Sequence, residues 1–350
     1  MQPSTRASLR LGEARAGAAL GEPARERADW IDVAKGMGIL LVVLGHALDG
    51  VIEAGLASEQ SPWGRAFFLI YTFHMPLFFV LAGLFVKTRL EKDRVQFMRD
   101  AAARIAWPYF LWSIVQLLVI ASVGAAVNKP VELDIARIVS LLWDPTSQFW
   151  FLQALLVLHL SSRWVVLRFG AASLLAAAVV ARVLVEVVDM PPVLSLPCRF
   201  GVFYALGVMF GPRLVQHAAS VRRPQLLGVG LASVLIWALA ALAAAAGGGS
   251  FWGAAAIPAA LAGSLAALAL ALLPRGTPQR WLRTLGRSSM AIFVLHVMFV
   301  AGTRIALHKW LGLDDPRVIL PLAMAMGVLG PLLLRSLAVR LNASRALGLG

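Results

Sequence analysis

A chain of 350 residues that is 59% hydrophobic and only 14% charged, with a mean hydropathy of +0.78, carries more apolar surface than one water-soluble core can hide. Its net charge of +14 would suit a nucleic-acid partner, but the placement of that charge argues against one, and the single cysteine, Cys198, excludes an intramolecular disulfide. What remains is a polytopic helical membrane protein.

Residues 1–28 are rich in Ala, Arg and Glu and lack an apolar core, so they suit neither a secretory signal nor a transit peptide and read as a disordered cytosolic tail. Ten apolar windows of roughly 20 residues follow. They lie near 36–54, 66–86, 105–127, 148–167, 170–188, 194–211, 225–246, 252–273, 288–307 and 318–338. The expected fold is all-α: a bundle of about ten transmembrane helices over 29–340, with a short cytosolic tail at 341–350.

Charge gives an independent test of that count. With ten crossings, 24 of the Lys and Arg residues fall on one side and five on the other, while acids divide eight and ten. The basic side is therefore cytoplasmic and holds both termini. The positive charge is an orientation signal and a contact for anionic membrane lipids, not a nucleic-acid patch. Arg182, Arg199 and Arg304 fall inside spans, toward the outer half. Each either snorkels to the outer interface or marks a paired or substrate-binding site.

The first window contains "DVAKGMGILLVVLGHALDG" over 32–50. Lys35 and His46 are eleven residues apart, nearly three helical turns, so both project from one face about 16 Å apart along the axis. Lys35 is expected at the cytosolic boundary, within pairing distance of Asp32, and His46 near mid-membrane. The second window, "FFLIYTFHMPLFFVLAG", brings His74 to a similar depth, and Pro76 is expected to kink the helix beside it. The ninth, "SSMAIFVLHVMF", does the same with His296. Each imidazole either bonds a neighbouring helix or carries chemistry. Register with Lys35 favours chemistry for His46 and leaves His74 and His296 open. His159, His217 and His308 read as structural. Three histidines at one level can hold zinc in principle, but no spacing places them on adjacent faces, so no metal is expected.

Two polar-aromatic stretches complete the inventory. The inner segment "KTRLEKDRVQFMRDAAARIAWPYF", 87–110, is dense in bases that serve orientation and also suit a polyanionic ligand near Lys35. "QFWFLQALL", at 148–156, opens the fourth span on the outer side, where Trp150 and Gln153 form either an interfacial belt or a sugar platform.

Taken in order, these stretches resemble the acyltransferase 3 family of integral membrane acyltransferases. Lys35 and His46 match its Arg/Lys–ten residues–His motif, and "FHMPLFFVLAGLF" (73–85) is similar to the next segment in the fucose 4-O-acetylase-like branch. "RIAWPYF" (104–110), "FWFLQALL" and "LGRSSMAIFVLH" (285–296) are similar to later segments, so the resemblance covers about 28–338. The chain departs from the pattern in having Lys35 where arginine is commoner, and in spreading the expected basic pair to Arg99 and Arg104.

The resemblance implies a multi-pass enzyme of the bacterial inner membrane that moves an acyl group, usually acetyl, from cytosolic acetyl-CoA to a hydroxyl of a cell-surface or lipid-linked glycan. On that reading His46 deprotonates the acceptor, or a transient acyl-enzyme forms. His74 and His296 orient His46 or stabilise the developing oxyanion, and Lys35, Arg99 and Arg104 hold the donor. Trp150, Gln153, Arg182, Arg199 and Arg304 face the acceptor. A neutral imidazole is the side chain best poised for such a proton transfer near neutral pH. Two other readings stand beside it: a transporter or flippase relaying protons through its histidines, and an inactive glycan-assembly partner.

Overall fold

The computed structural model describes residues 22–273 and 277–349, and no strand occurs among them. Fifteen α-helices follow one another: α1 (Glu22–Glu53), α2 (Pro62–Tyr71), α3 (His74–Gly83), α4 (Val86–Leu90), α5 (Arg94–Ala101), α6 (Trp107–Val123), α7 (Ile135–Ser140) and α8 (Trp150–Phe169). They continue as α9 (Ala171–Val187), α10 (Pro192–His217), α11 (Arg223–Ala246), α12 (Ile257–Leu272), α13 (Thr277–Arg287), α14 (Ser289–Ile305) and α15 (Pro316–Arg340). Of the expected cytosolic tail, residues 1–21 lie outside the described residues, and 22–28 extend α1.

Nine helical segments among the described residues are long and apolar enough to cross a membrane, which makes this a multi-pass membrane protein. They occupy nine of the ten windows. In the remaining window, 170–188, α9 has 17 residues and ends with Arg182 and Glu186 in its last turns. At 1.5 Å per residue it rises roughly 25 Å, the lower limit for a crossing.

Burial separates the centre of the bundle from its rim. The most apolar stretch of the first span is 61% buried, against 22% for α11. On α11, Leu231, Leu235, Leu239 and Leu242 repeat at about one-turn spacing and stay exposed, a stripe that suits acyl chains. The helix α1 runs through the centre, against α2, α3, α12, α13, α14 and α15. Between α1 and α13 the backbones touch: a Cβ on Gly36 would stand 2.0 Å from the Leu282 carbonyl oxygen, and one on Gly286 1.8 Å from that of Asp32. Only glycine permits that approach, which seats the polar α13 directly on the basic end of α1. Across the same junction Arg283 pairs with Asp29, and Arg287 with Asp29 and Asp32.

The second span breaks between α2 and α3, where Phe73 leaves helical geometry (φ −136°, ψ −22°). The break at Phe73 lies three residues before Pro76, whose ring excludes the carbonyl of residue i−4, here Thr72. The Thr72 hydroxyl donates to the Leu69 carbonyl (2.6 Å) and accepts from the Trp237 indole (3.1 Å), which satisfies polar groups at the interruption. His74 is thereby the first residue of α3.

The last residues, expected as a short tail, fold back onto α6. The indoles of Trp107 and Trp112 donate to the carbonyls of Ala346 (2.7 Å) and Leu347 (2.8 Å), and Leu349 is 2% exposed.

Candidate active site

Three histidines from three spans meet in the middle of the bundle. The rings of His46 on α1 and His296 on α14 lie with centroids 5.1 Å apart. Tyr71, at the end of α2, stands between His46 (6.4 Å) and His74 on α3 (4.8 Å). The depth match expected from the sequence is therefore also a lateral match.

Hydrogen bonds assign two of the three tautomers. His74 Nδ1 lies 2.8 Å from the Ile70 carbonyl, and His296 Nδ1 lies 2.8 Å and 3.0 Å from those of Phe293 and Ile292. A carbonyl only accepts, so both Nδ1 atoms carry the proton and both Nε2 atoms present a lone pair. His296 is fully buried, and its Nε2 has no partner among the described residues. His46 is half-buried and makes no hydrogen bond to a protein group among the described residues. Tyr71 fits here because Gly45 leaves room: a Cβ at that position would stand 2.8 Å from its Cε2.

A cavity of about 550 Å³ runs from this level toward the less basic end of the bundle, lined by His46, His74, Tyr71, Trp150, Trp252 and Phe293. Its polar wall includes Asp49, Glu53, Lys129, Arg137, Asp144 and Arg304, together with Gln116 and Gln148, whose amides bond reciprocally (2.8 and 3.3 Å). Lys129 is ion-paired to Glu53, which raises the lysine pKa, and Arg137 is held by Asp144 (3.0 Å) and Thr146 (2.7 Å). Arg304 is 3% exposed and its Nη1 has no hydrogen-bond partner among the described residues. The α14 helix starts at the basic end, so its side chains lean toward the bundle centre rather than the far interface, and Arg304 does not snorkel.

The basic end holds a second polar group. Lys35 is 37% exposed and 4.0 Å from Asp32, which Arg287 holds more closely at 3.1 Å. Arg89, from the short α4, lies within reach of the charges of both Lys35 and Arg104. Burial, then the neighbouring Arg104, holds its guanidinium below the usual arginine pKa. Arg99 and Arg104 are exposed. Below them His159 meets the Tyr204 hydroxyl (3.2 Å) and stacks on Phe97 (4.6 Å). Arg163 lies over the same Phe97 ring.

The expected site residues thus fall into three places. His46, His74, Trp150 and Arg304 share the cavity, with His296 directly behind His46. Lys35, Arg99 and Arg104 are at the basic end. Arg182 and Arg199 lie outside the cavity, sharing the Glu186 carboxylate, with Arg182 also donating to the Trp252 carbonyl (3.1 Å). Gln153 is likewise outside, bonding the Leu141 and Leu142 carbonyls (3.2 and 3.1 Å). Sequence reasoning missed Tyr71, Asp49 and Arg89. Asp49 carried a signal, since it lies three residues from His46 on the same helix face, whereas Tyr71 is separated from His74 by the helix break. Among the described residues no three His, Cys, Asp or Glu side chains converge as a metal-ligand set.

Comparison with known proteins follows the same residues. A family model described as an acyltransferase domain matches residues 28–336. Nodulation protein NolL of Sinorhizobium fredii (strain NBRC 101917 / NGR234) is 28% identical over 221 residues, covering 60% of this chain and 55% of the relative. Nodulation protein NolL of Mesorhizobium japonicum (strain LMG 29417 / CECT 9101 / MAFF 303099) is 31% identical over 125 residues, 35% of this chain and 32% of the relative. The chain therefore spans about half the length of the first of these relatives and a third of the second. No solved structure matches.

Proposed function

This chain belongs to the acyltransferase 3 family, and from that premise we propose that it is a membrane O-acyltransferase moving an acetyl group from cytosolic acetyl-CoA to a glycan hydroxyl presented outside the cytoplasm. The observation that carries the reading is the half-buried His46, held between a cavity open toward one end of the bundle and a cluster of cations at the other. On this reading the cation end is cytosolic, which the charge asymmetry supports, and the membrane is a bacterial inner membrane.

The acceptor enters the cavity and lays a ring against Trp150, Trp252 and Tyr71, aromatic faces that suit the C–H face of a sugar. Its reacting hydroxyl gives its proton to a lone pair of His46, and the oxygen attacks the thioester carbonyl carbon. The tetrahedral oxyanion is stabilised by the Tyr71 hydroxyl, then collapses with cleavage of the C–S bond. The imidazolium returns the proton to the departing thiolate, so the step needs no other reactant. His296 sits behind His46 with a bare Nε2, placed to fix which nitrogen of His46 faces the cavity. His74 presents its own Nε2 lone pair at the same wall and orients the acceptor.

The donor lies at the other end. Lys35, Arg89 and Arg104 gather positive charge at the cytosolic mouth, suited to the phosphates of coenzyme A, with Arg99 at the entrance. Lys35 and His46 lie on one helix face about 16 Å apart, so the extended arm of the donor spans that distance. The test is to incubate membranes containing the protein with acetyl-labelled acetyl-CoA and glycan acceptor. The reading predicts label in the glycan as a base-labile ester. Acceptor flux across sealed vesicles without label transfer would favour a transporter and overturn it.

A further inference from the structure

The cavity wall contains three acidic and three basic side chains, but they are not equivalent. Glu53 is paired with Lys129, and Asp144 with Arg137. Asp49 and Arg304 remain: neither forms an ion pair or hydrogen bond through its side chain among the described residues, and Arg304 is 3% exposed with a buried Nη1 that has no partner. A guanidinium desolvated to that degree calls for an acceptor atom to replace lost water. Both groups are close to the chemistry. Asp49 follows His46 by three residues, a rise of about 4.5 Å on the same face. The Arg304 Nε lies 3.5 Å from where a Cβ on Gly50 would stand, so its guanidinium covers the backbone next to Asp49.

We propose that Asp49 and Arg304 grip one ring of the acceptor, Asp49 accepting from a hydroxyl adjacent to the one that is acylated and Arg304 donating to an oxygen of the same ring. This rests on the reading that the cavity admits the acceptor. The charges define the ligand. An anionic ring would satisfy Arg304 but meet Asp49, and a cationic ring would do the reverse. A neutral polyhydroxylated ring offers donors and acceptors together and leaves the cavity balanced. The acceptor is therefore a neutral sugar with two neighbouring hydroxyls, and Asp49 and Arg304 determine which hydroxyl reaches His46.

The test uses the full chain in membranes, labelled acetyl-CoA, and p-nitrophenyl glycosides: a panel of neutral hexosides, the monodeoxy analogues of the best one, and a hexuronide. Wild type should label a neutral hexoside, and removing the hydroxyl next to the acylated position should raise the acceptor KM tenfold or more. Asp49→Asn should raise it similarly and lose nothing further on that deoxy analogue, while the KM for acetyl-CoA stays within twofold. Arg304→Gln should raise acceptor KM, and Arg304→Lys should recover part of it, a split that a merely misfolded variant would not show. Preference for the hexuronide, no labelling of any neutral hexoside, or additive losses for Asp49→Asn and the deoxy analogue would overturn the grip. His46→Ala separates the two levels. If it retains transfer, the underlying reading fails. If it is inactive while Asp49→Asn keeps the wild-type acceptor KM, only the grip fails.

Discussion

Replacing Gly45 by alanine adds one methyl group at the most sensitive wall of the site. That carbon would stand 2.8 Å from Tyr71 Cε2, where ordinary carbon contacts begin near 3.5 Å, so the ring must retreat by about 0.7 Å. Apart from the cavity it lines, it has little room to move. Tyr71 is 8% exposed and packed against Phe67 (4.1 Å), His74 (4.8 Å) and Phe251 (5.1 Å). Overpacking a well-filled core costs about 1–3 kcal/mol, which a folded bundle of this size should survive. A displacement approaching 1 Å at a catalytic group costs about 10²-fold in rate, equivalent to roughly 2.7 kcal/mol of activation free energy. Gly45→Ala should therefore assemble in the membrane in near-normal amount yet transfer label from acetyl-CoA about a hundredfold more slowly. If the loss passes through Tyr71, Gly45→Ala combined with Tyr71→Ala should be no slower than Tyr71→Ala alone. Wild-type rates for Gly45→Ala, or fully additive losses in the double variant, would refute the placement of Tyr71 in the reaction.

Three further outcomes follow from other parts of the structure. Lys35→Ala and Arg89→Ala should each raise the KM for acetyl-CoA by ten- to a hundredfold, because a charged hydrogen bond contributes about 1.5–3 kcal/mol. Arg99→Ala should do less, and an equal effect in initial-rate assays would contradict the donor geometry. Gln148→Leu leaves the buried Gln116 amide without its partner and should cost about 1–3 kcal/mol, read as a lower thermal midpoint in detergent. Leucine at both positions should recover much of that loss, and a further fall would refute the pairing argument. Trp112→Phe removes the bond to the Leu347 carbonyl, worth about 1 kcal/mol, and should speed carboxypeptidase trimming of the last residues. Unchanged trimming would contradict the docked tail.

The sequence carried the bundle more fully than the site. Apolar windows located the spans because bilayer thickness sets helix length, and Pro76 announced the break at Phe73 because its steric effect is local. The spacing of Lys35 and His46 likewise follows from helix geometry alone. Lateral relations were not legible. Nothing in the linear order says that His296 rather than His159 stands beside His46, since helix neighbours in a membrane are chosen by shape. Arg89 was hidden among the bases of its loop, and only the fold brings it near Lys35 while leaving Arg99 exposed. The three intramembrane arginines looked alike in the sequence, yet Arg182 and Arg199 share Glu186 and Arg304 stands in the cavity. The docked end at Ala346–Leu349 depends on two indoles more than 230 positions away, beyond any local pattern.

The central claim is that His46 faces the acceptor and takes its proton. The most direct measurement compares acetyl transfer by wild type, His46→Ala and His46→Gln in membranes matched for folded protein. General-base loss predicts a fall of at least about 10²-fold for both variants, because glutamine keeps much of the side chain's bulk and polarity but cannot accept the proton. Transfer by His46→Gln within a few-fold of wild type would contradict the account and return His46 to a role in packing.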